Sequence, residues 1–459
     1  MSRKISFKCE NCGEIFGKWS GQCQKCKEWN CLSEFEDSTQ NDKSLFTNFS
    51  KGKVLSDLEN FSFKENKRIS TDFFEVDRVL GGGIFPGSIM LLTGNPGIGK
   101  STISLQIAQK ISNKFSQNQV VIISGEESVE QIFLRASRIF SKNLLPNLKI
   151  FSGVFVEDIL ATAKKIKPKL LIVDSAQTIC SQEVSSLPGT ISQIRFCTEK
   201  LMYFSKNSGI PILLIGHVNK GGEMAGPQTL AHLVDVVLQI EGEKNHDLRI
   251  LRAEKNRFGS SSEVGIFEMG ESGLVEVKNP STAFLSGRLP GAIGSVIFPT
   301  IEGNRPFLVE IQALTSRTHF GFPKRSASGI SISRLNLLIA VLESHTNVKL
   351  ENFDIFANIV GGFKISEPAA DFSVALAIFS AKTKIPISEK LIIIGELGLS
   401  GEIRPVSNFD KRIIEAEKMG FLQAFISSGQ KISKKFNKIK IQSFSKISEA
   451  IEFLKKKLS

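Results

Sequence analysis

Short runs in the middle of the chain are apolar at every position: Ile89-Met90-Leu91-Leu92, Val120-Val121-Ile122-Ile123, Leu170-Leu171-Ile172-Val173 and Ile212-Leu213-Leu214-Ile215, with Val234 and Val236-Val237-Leu238 beyond them. A strand that is apolar throughout is buried on both faces, and helical patterns separate these runs, so the stretch predicts an α/β core with a mostly parallel sheet. The pattern changes after Asn279-Pro280. Runs at Gly294-Ser295-Val296-Ile297-Phe298 and Phe307-Leu308-Val309-Glu310-Ile311 precede helical periodicity through Leu335, Leu338, Ile339, Val341 and Leu342, and then comes a further strand, Leu391-Ile392-Ile393-Ile394. This predicts a separate α+β domain. Towards the start, a stretch rich in Ser, Thr, Asn, Asp and Lys has no apolar period and reads as a linker. The expected organisation is a cysteine module over residues 1–32, a linker over 33–54, the α/β core over 55–278 and the α+β domain over 279–459.

Composition narrows the classes. With 459 residues, 41% apolar and 23% charged, the chain is too long for one ordinary core and too apolar for wholesale disorder. Neither a signal-peptide core nor a run of about 20 apolar residues occurs, so a cytoplasmic protein with no membrane partner is expected. The net charge of +12 is compatible with a polyanionic partner. Of seven cysteines, Cys9, Cys12, Cys23, Cys26 and Cys31 crowd the first 31 residues, which argues for metal and against a disulfide framework. Cys9-x2-Cys12 and Cys23-x2-Cys26 are two knuckles suited to one tetrahedral structural Zn2+, whose binding supplies folding energy to a short segment. Cys31 fits the spacing less well and is left out of the set. Trp19 and Trp29 are expected to cover the apolar side of this module.

Gly94-Asn95-Pro96-Gly97-Ile98-Gly99-Lys100-Ser101 follows a strand and opens a helix whose Ile103, Ile107, Ala108 and Ile111 share one face. Strand, glycine loop and helix N-terminus make a phosphate cradle, so Gly94 through Thr102 are expected to hold ATP. Lys100 would neutralise the β and γ phosphates, and Ser101 would offer its hydroxyl to Mg2+. Asp174 ends a buried strand at the nucleotide edge and is expected as the second magnesium-side group. Glu126 or Glu127, after the strand ending at Ile123, would act on water, with Glu126 preferred.

Leu80-Gly81-Gly82-Gly83-Ile84-Phe85-Pro86-Gly87-Ser88 is similar to the lead-in of RecA-like recombination ATPases, and Lys255-Asn256-Arg257-Phe258-Gly259 resembles the signature of a bacterial DNA-repair branch of that family. With the cysteine module and the last domain, the resemblance covers essentially the whole chain. It implies a RecA-like P-loop ATPase that depends on DNA, binds single-stranded DNA, drives branch migration of recombination intermediates and works with the RecA recombinase, associated with the nucleoid when engaged on DNA. In such enzymes Glu126 activates water, His217 senses the γ-phosphate, and residues 177–191 and 219–226 face DNA. Lys255 and Arg257, two residues apart, would reach a neighbour's triphosphate across a subunit boundary in a homo-hexameric ring.

Gly395-Glu396-Leu397-Gly398-Leu399-Ser400-Gly401-Glu402 and Glu367-Pro368-Ala369-Ala370-Asp371 resemble parts of Lon proteases, but Ala369 stands at the serine position and Asp410 at the lysine position. Neither can perform the nucleophilic step, so a Lon-protease-like domain without peptidase activity is expected. Lys411 and Arg412 are candidates for a DNA-facing surface there. Two other readings stay open: an ATP-dependent peptidase using a serine such as Ser366 or Ser373, and a non-motor nucleotide-binding repair scaffold.

Overall fold

The computed structural model describes residues 5–9, 15–27, 29, 32–36, 68–114, 120–140, 147–216, 230–242, 247–318 and 322–456. The chain divides into two compact units, residues 1–65 and 66–459. Among the described residues no helix is long and apolar enough to cross a membrane.

In the first unit, β1 (Ile5–Cys9) pairs antiparallel with β2 (Ile15–Phe16) and β3 (Leu32–Glu36). Cys23 is fully buried, packed by Phe7, Phe16 and Cys26, and the Lys27 amide donates to the Cys23 carbonyl at 2.9 Å, closing the knuckle turn. The tryptophans do not cover the apolar side. Trp19 and Trp29 are 58% and 69% exposed, and among the described residues it is Phe7 and Phe16 that pack on Cys23.

The second unit begins with helix α1 (Phe74–Leu80) and then alternates strand and helix: β4 (Ile89–Gly94), α2 (Lys100–Lys114), β5 (Val120–Ser124), α3 (Val129–Phe140), β6 (Leu148–Ser152), α4 (Val156–Ile166), β7 (Leu170–Asp174), α5 (Ile191–Ser208), β8 (Ile212–Ile215) and β9 (Val236–Glu241). The strands run parallel in the order β9-β4-β8-β7-β5-β6, and β10 (Leu248–Asn256), β11 (Val264–Gly270) and β12 (Gly273–Glu276) extend β9 antiparallel. Both faces are dry. Met90, Leu92, Ile122 and Leu213 pack on Ile103, Ile107 and Ile111 of α2, while Ile89, Leu91, Val121 and Leu214 pack on Ile159 of α4 and Leu201 of α5. Each such side chain contributes about 1.5–3 kcal/mol by leaving water, which is why the run pattern predicted the sheet.

Beyond α6 (Pro280–Leu285), a second sheet contains β13 (Ser295–Glu302), β14 (Arg305–Arg317), β15 (Arg325–Ser328), β16 (Phe353–Ile359), β17 (Leu391–Ile393), β20 (Gln423–Ser427) and β21 (Lys440–Phe444), in the order β15-β16-β14-β13-β17-β20-β21. A small separate ribbon, β18 (Glu396–Leu397) with β19 (Ile403–Arg404), comes between β17 and β20 along the chain. Helices α7 (Ile332–His345), α8 (Asp371–Thr383), α9 (Phe409–Lys418) and α10 (Ile447–Lys456) complete this region. Helix α8 is buried from Asp371 to Ala381, as befits a helix that is apolar all round.

The two regions of this unit share apolar surface. Ile266 and Val277, from the α/β core, belong to the same cluster as Phe298, Phe307 and Leu338 of the last region. The turn between β13 and β14 presses on the core loop: a Cβ on Gly303, whose φ is +59°, would lie 1.6 Å from the Ser262 carbonyl oxygen. The Asn304 amide donates to that oxygen at 2.8 Å. Buried Glu75 of α1 forms an ion pair with buried Arg305 of β14, adding a polar tie to the apolar one.

Candidate nucleotide site

The parallel register brings the ends of β4, β5 and β7 to one edge of the sheet, with Ser124 opposite Asp174 and Gly94 opposite Ile240. Gly94 needs to be glycine, since a Cβ there would meet the Ile240 carbonyl oxygen at 2.6 Å. Asn95, Pro96 and Gly97 are exposed, whereas Ile98 is anchored in the core and its carbonyl accepts from buried Arg249 at 3.3 Å. Ser101 and Thr102 are half-buried in the first turn of α2.

Lys100 is only 4% exposed, and its Nζ donates to the carbonyls of Gly94 at 2.8 Å and Asn95 at 3.1 Å. Burial lowers the Lys100 ammonium below the ordinary lysine range, and the carboxylates of Asp174 and Glu126 oppose that shift. Lys100, Asp174 and Glu126 are therefore electrostatic neighbours. The donors suit the expected ligands: hydroxyl and carboxylate oxygens from Ser101 and Asp174 are what magnesium takes, and loop amides with Lys100 suit phosphate.

The two glutamates after β5 are used differently. Ser175 Oγ donates to Glu126 Oε1 at 2.5 Å, which ties Glu126 to the residue following Asp174. Glu127 instead forms an ion pair with Arg135 of α3, and its amide is capped by Ser124 Oγ at 3.0 Å. Burial lowers the Arg135 guanidinium, while the Asp174 carboxylate opposes the change, so Arg135 also stands near the phosphate edge. Sequence reasoning missed both Ser175 and Arg135, and no local motif signals either one.

Lys255 and Arg257 lie at the far end of the sheet. Lys255 is opposite Val237 near the start of β9, whereas Gly94 is beside Ile240 at the other end of that strand. Three residues of strand separate those positions, roughly 10 Å at the usual rise, and Lys255 Nζ is already bonded to the Ala231 and Val234 carbonyls, each at 2.7 Å. Arg257 pairs with buried Asp235 at 3.4 Å and remains half exposed. The residues next to the two cations are structural. Asn256 donates to the Val79 carbonyl at 3.2 Å, and Phe258 stacks on Phe85 with centroids 4.4 Å apart. Arg68 Nη2 donates to the Phe258 carbonyl at 2.5 Å, another partner that sequence reading missed.

His217 and residues 219–226 lie outside the described residues. Residues 177–191 form a turn-rich loop that Gln193 stitches together by donating to the Ser181, Val184 and Ser186 carbonyls. Leu187 and Ile191 are exposed on it. Of the expected zinc ligands, Cys12 and the Cys9 side chain lie outside the described residues, while Cys23 and Cys26 sit on one knuckle. Among the described residues no group of three or more His, Cys, Asp or Glu side chains is placed to hold a metal.

In the last region Ala369 is buried and Asp371 forms an ion pair with Arg334. Arg412 is not a surface cation: it is 1% exposed, donates to the Pro299 carbonyl at 2.6 Å and pairs with Glu367 at 2.5 Å. Burying it satisfies a carboxylate that also accepts from Thr300 Oγ1 at 2.7 Å. Ser373 is fully buried with its hydroxyl donated to the Ile393 carbonyl at 2.7 Å, and Ser366 is exposed on the wall of a cleft of about 940 Å³.

Comparison with known proteins finds relatives along nearly the whole chain. The family model described as an AAA domain matches residues 60–223, and that of subunit ChlI of Mg-chelatase matches residues 335–430. The DNA repair protein RadA of Bacillus subtilis is 44% identical over 426 residues, and that of Listeria monocytogenes 43% over 424 residues, each alignment covering 92% of both chains. The RadA protein of Streptococcus pyogenes serotype M1 is 43% identical over 426 residues, again with 92% of each chain covered. Among solved structures, the RadB recombinase aligns over 46% of this chain and 100% of its own at 23% identity and a TM-score of 0.36. With that identity along nearly all of both sequences and the phosphate cradle in place, the chain belongs to the family of the DNA repair protein RadA and is a DNA-repair ATPase that uses ATP with magnesium.

Proposed function

We propose that this ATPase acts on single-stranded DNA as a homo-hexameric ring, coupling hydrolysis to strand movement and so driving branch migration of recombination intermediates alongside the RecA recombinase. The observation that carries this reading is the separation of two half-sites: Lys100, Asp174 and Glu126 meet at one end of the sheet, and Lys255 with Arg257 stands at the other. A site divided in this way is completed by a neighbouring copy.

The loop amides from Gly97 to Ser101 bind phosphate oxygens, and Lys100 exchanges the Gly94 and Asn95 carbonyls for the β and γ phosphates. Ser101 and Asp174 are the residues that would hold magnesium, which when bound offsets phosphate charge. Glu126, steadied by Ser175, orients the attacking water and takes up its proton, and His217 senses the γ-phosphate. Residues 177–191 and 219–226 line the DNA path. Cys9, Cys12, Cys23 and Cys26 hold a structural zinc ion. In this proposal the domains fall at 1–32, 55–278 and 279–459 around a linker at 33–54, the last is a scaffold without peptidase activity, and the protein works in the cytoplasm at the nucleoid.

Phosphate release measured with and without a single-stranded oligonucleotide in low salt is the test. Stimulation that weakens as salt rises is expected. Mixing Lys100→Ala with Lys255→Ala should restore turnover that neither variant shows alone, because an intact cradle on one copy then meets an intact Lys255 on its neighbour; no restoration would break the divided-site reading.

A further inference from the structure

A cavity of about 550 Å³ opens at the end of the sheet where β7 and β8 begin, away from the phosphate edge. Its floor is apolar and stiff: Phe204 and Ile210 are buried there, with Pro168 and Pro211 beside them. Its rim carries Lys164, Lys167 and Lys169, and no acidic residue lines it. Lys164 belongs to the last turn of α4, where a cation complements the helix dipole. Lys167 follows the helix in left-handed backbone, at φ +51°, and Lys169 precedes β7, so neither position belongs to a solvated helix face. Among the described residues, no ion pair involves Lys164 or Lys167.

We propose that this cavity is a docking site for an acidic peptide of a partner protein, which inserts one or two apolar side chains between the prolines and sets its carboxylates against the three lysines. The volume suits two or three residues, within the range of small-ligand sites. The charge pattern chooses among occupants. A nucleic-acid backbone would need the cations but leaves the apolar floor unused, and that floor lacks a flat aromatic face for base stacking, since Phe204 is largely buried. The chain's own residues 51–67 carry four lysines against three acids, so they are not complementary to a lysine rim. Because the cavity and the phosphate cradle occupy opposite ends of the strands, an occupant leaves ATP access open.

The test is fluorescence anisotropy with the full-length protein and a labelled peptide of four aspartates ending in Ile-Phe. Saturable binding is expected, weakened about tenfold or more both by Lys164→Glu with Lys167→Glu and by Ser208→Trp, which fills the mouth from an exposed position. Turnover of ATP by both variants should match wild type, which also reports that they fold. Replacing Ile-Phe by Gly-Gly in the peptide should cost about tenfold. Binding unchanged in both variants, equal binding of the Gly-Gly peptide, an equal loss for a single-stranded oligonucleotide in the lysine variant, or tighter binding by a peptide of residues 55–65 would each overturn the proposal.

Discussion

The phosphate edge of the core and the cleft of the last region use the same kinds of residue to opposite ends. At the phosphate edge, Lys100 and the carboxylates of Asp174 and Glu126 influence one another, but Lys100 Nζ bonds to the loop carbonyls of Gly94 and Asn95, which a phosphate can replace. In the cleft, Glu367 is fixed by Arg412, Thr300 and the Ile301 amide, and Asp371 by Arg334 and the Leu397 amide. Charges exchangeable with a ligand make a site; charges closed on one another make a strut. Position in the fold, more than residue identity, separates chemistry from support.

The comparison can be broken in four ways. Lys100→Ala should lower phosphate release by about a hundredfold or more at unchanged melting temperature, measured by a coupled phosphate assay; a small loss would mean that the cradle is not the engine. Glu126→Gln should cost about a hundredfold in turnover while nucleotide affinity persists, and Glu127→Gln clearly less, because Arg135 already engages Glu127. Arg412→Ala should do the reverse: urea unfolding should report a loss of about 3–5 kcal/mol, since Glu367 would be left without its buried partner, with turnover per folded molecule preserved. The smallest effect is on the pH profile. Burial holds the Lys100 ammonium below the ordinary lysine range, so it loses its proton, and its hold on phosphate, at lower pH than a free lysine. Nucleotide affinity should weaken on the alkaline side in wild type and stay flatter in Lys100→Ala, followed by titration of a fluorescent ATP analogue.

What was legible in the sequence was contiguous. The cradle from Gly94 to Thr102 and the strand ending at Asp174 announce themselves because each is one run with one physical demand, and β4, β5, β7 and β8 lie within two residues of where their apolar runs placed them. Ser175, Arg135 and Arg68 were not legible, since their roles depend on chain pairing: Ser175 meets Glu126 49 residues away, and Arg68 meets Phe258 across 190. Arg412 looked like a candidate for a DNA-facing surface because its partner, Glu367, is 45 residues upstream. The motif at Lys255 was visible as a unit but not its division of labour, in which Asn256 and Phe258 fasten the strand end while Lys255 bonds to the Ala231 and Val234 carbonyls and Arg257 pairs with Asp235.

The shared apolar cluster that contains Ile266 and Val277 has a consequence for how this molecule comes apart. Cutting after residue 278 would strip the partners from side chains that are dry in the intact chain, so a shortened product should clump or melt early. In the intact protein, heating should give one endotherm for everything from Arg68 onward, with both sheets lost together.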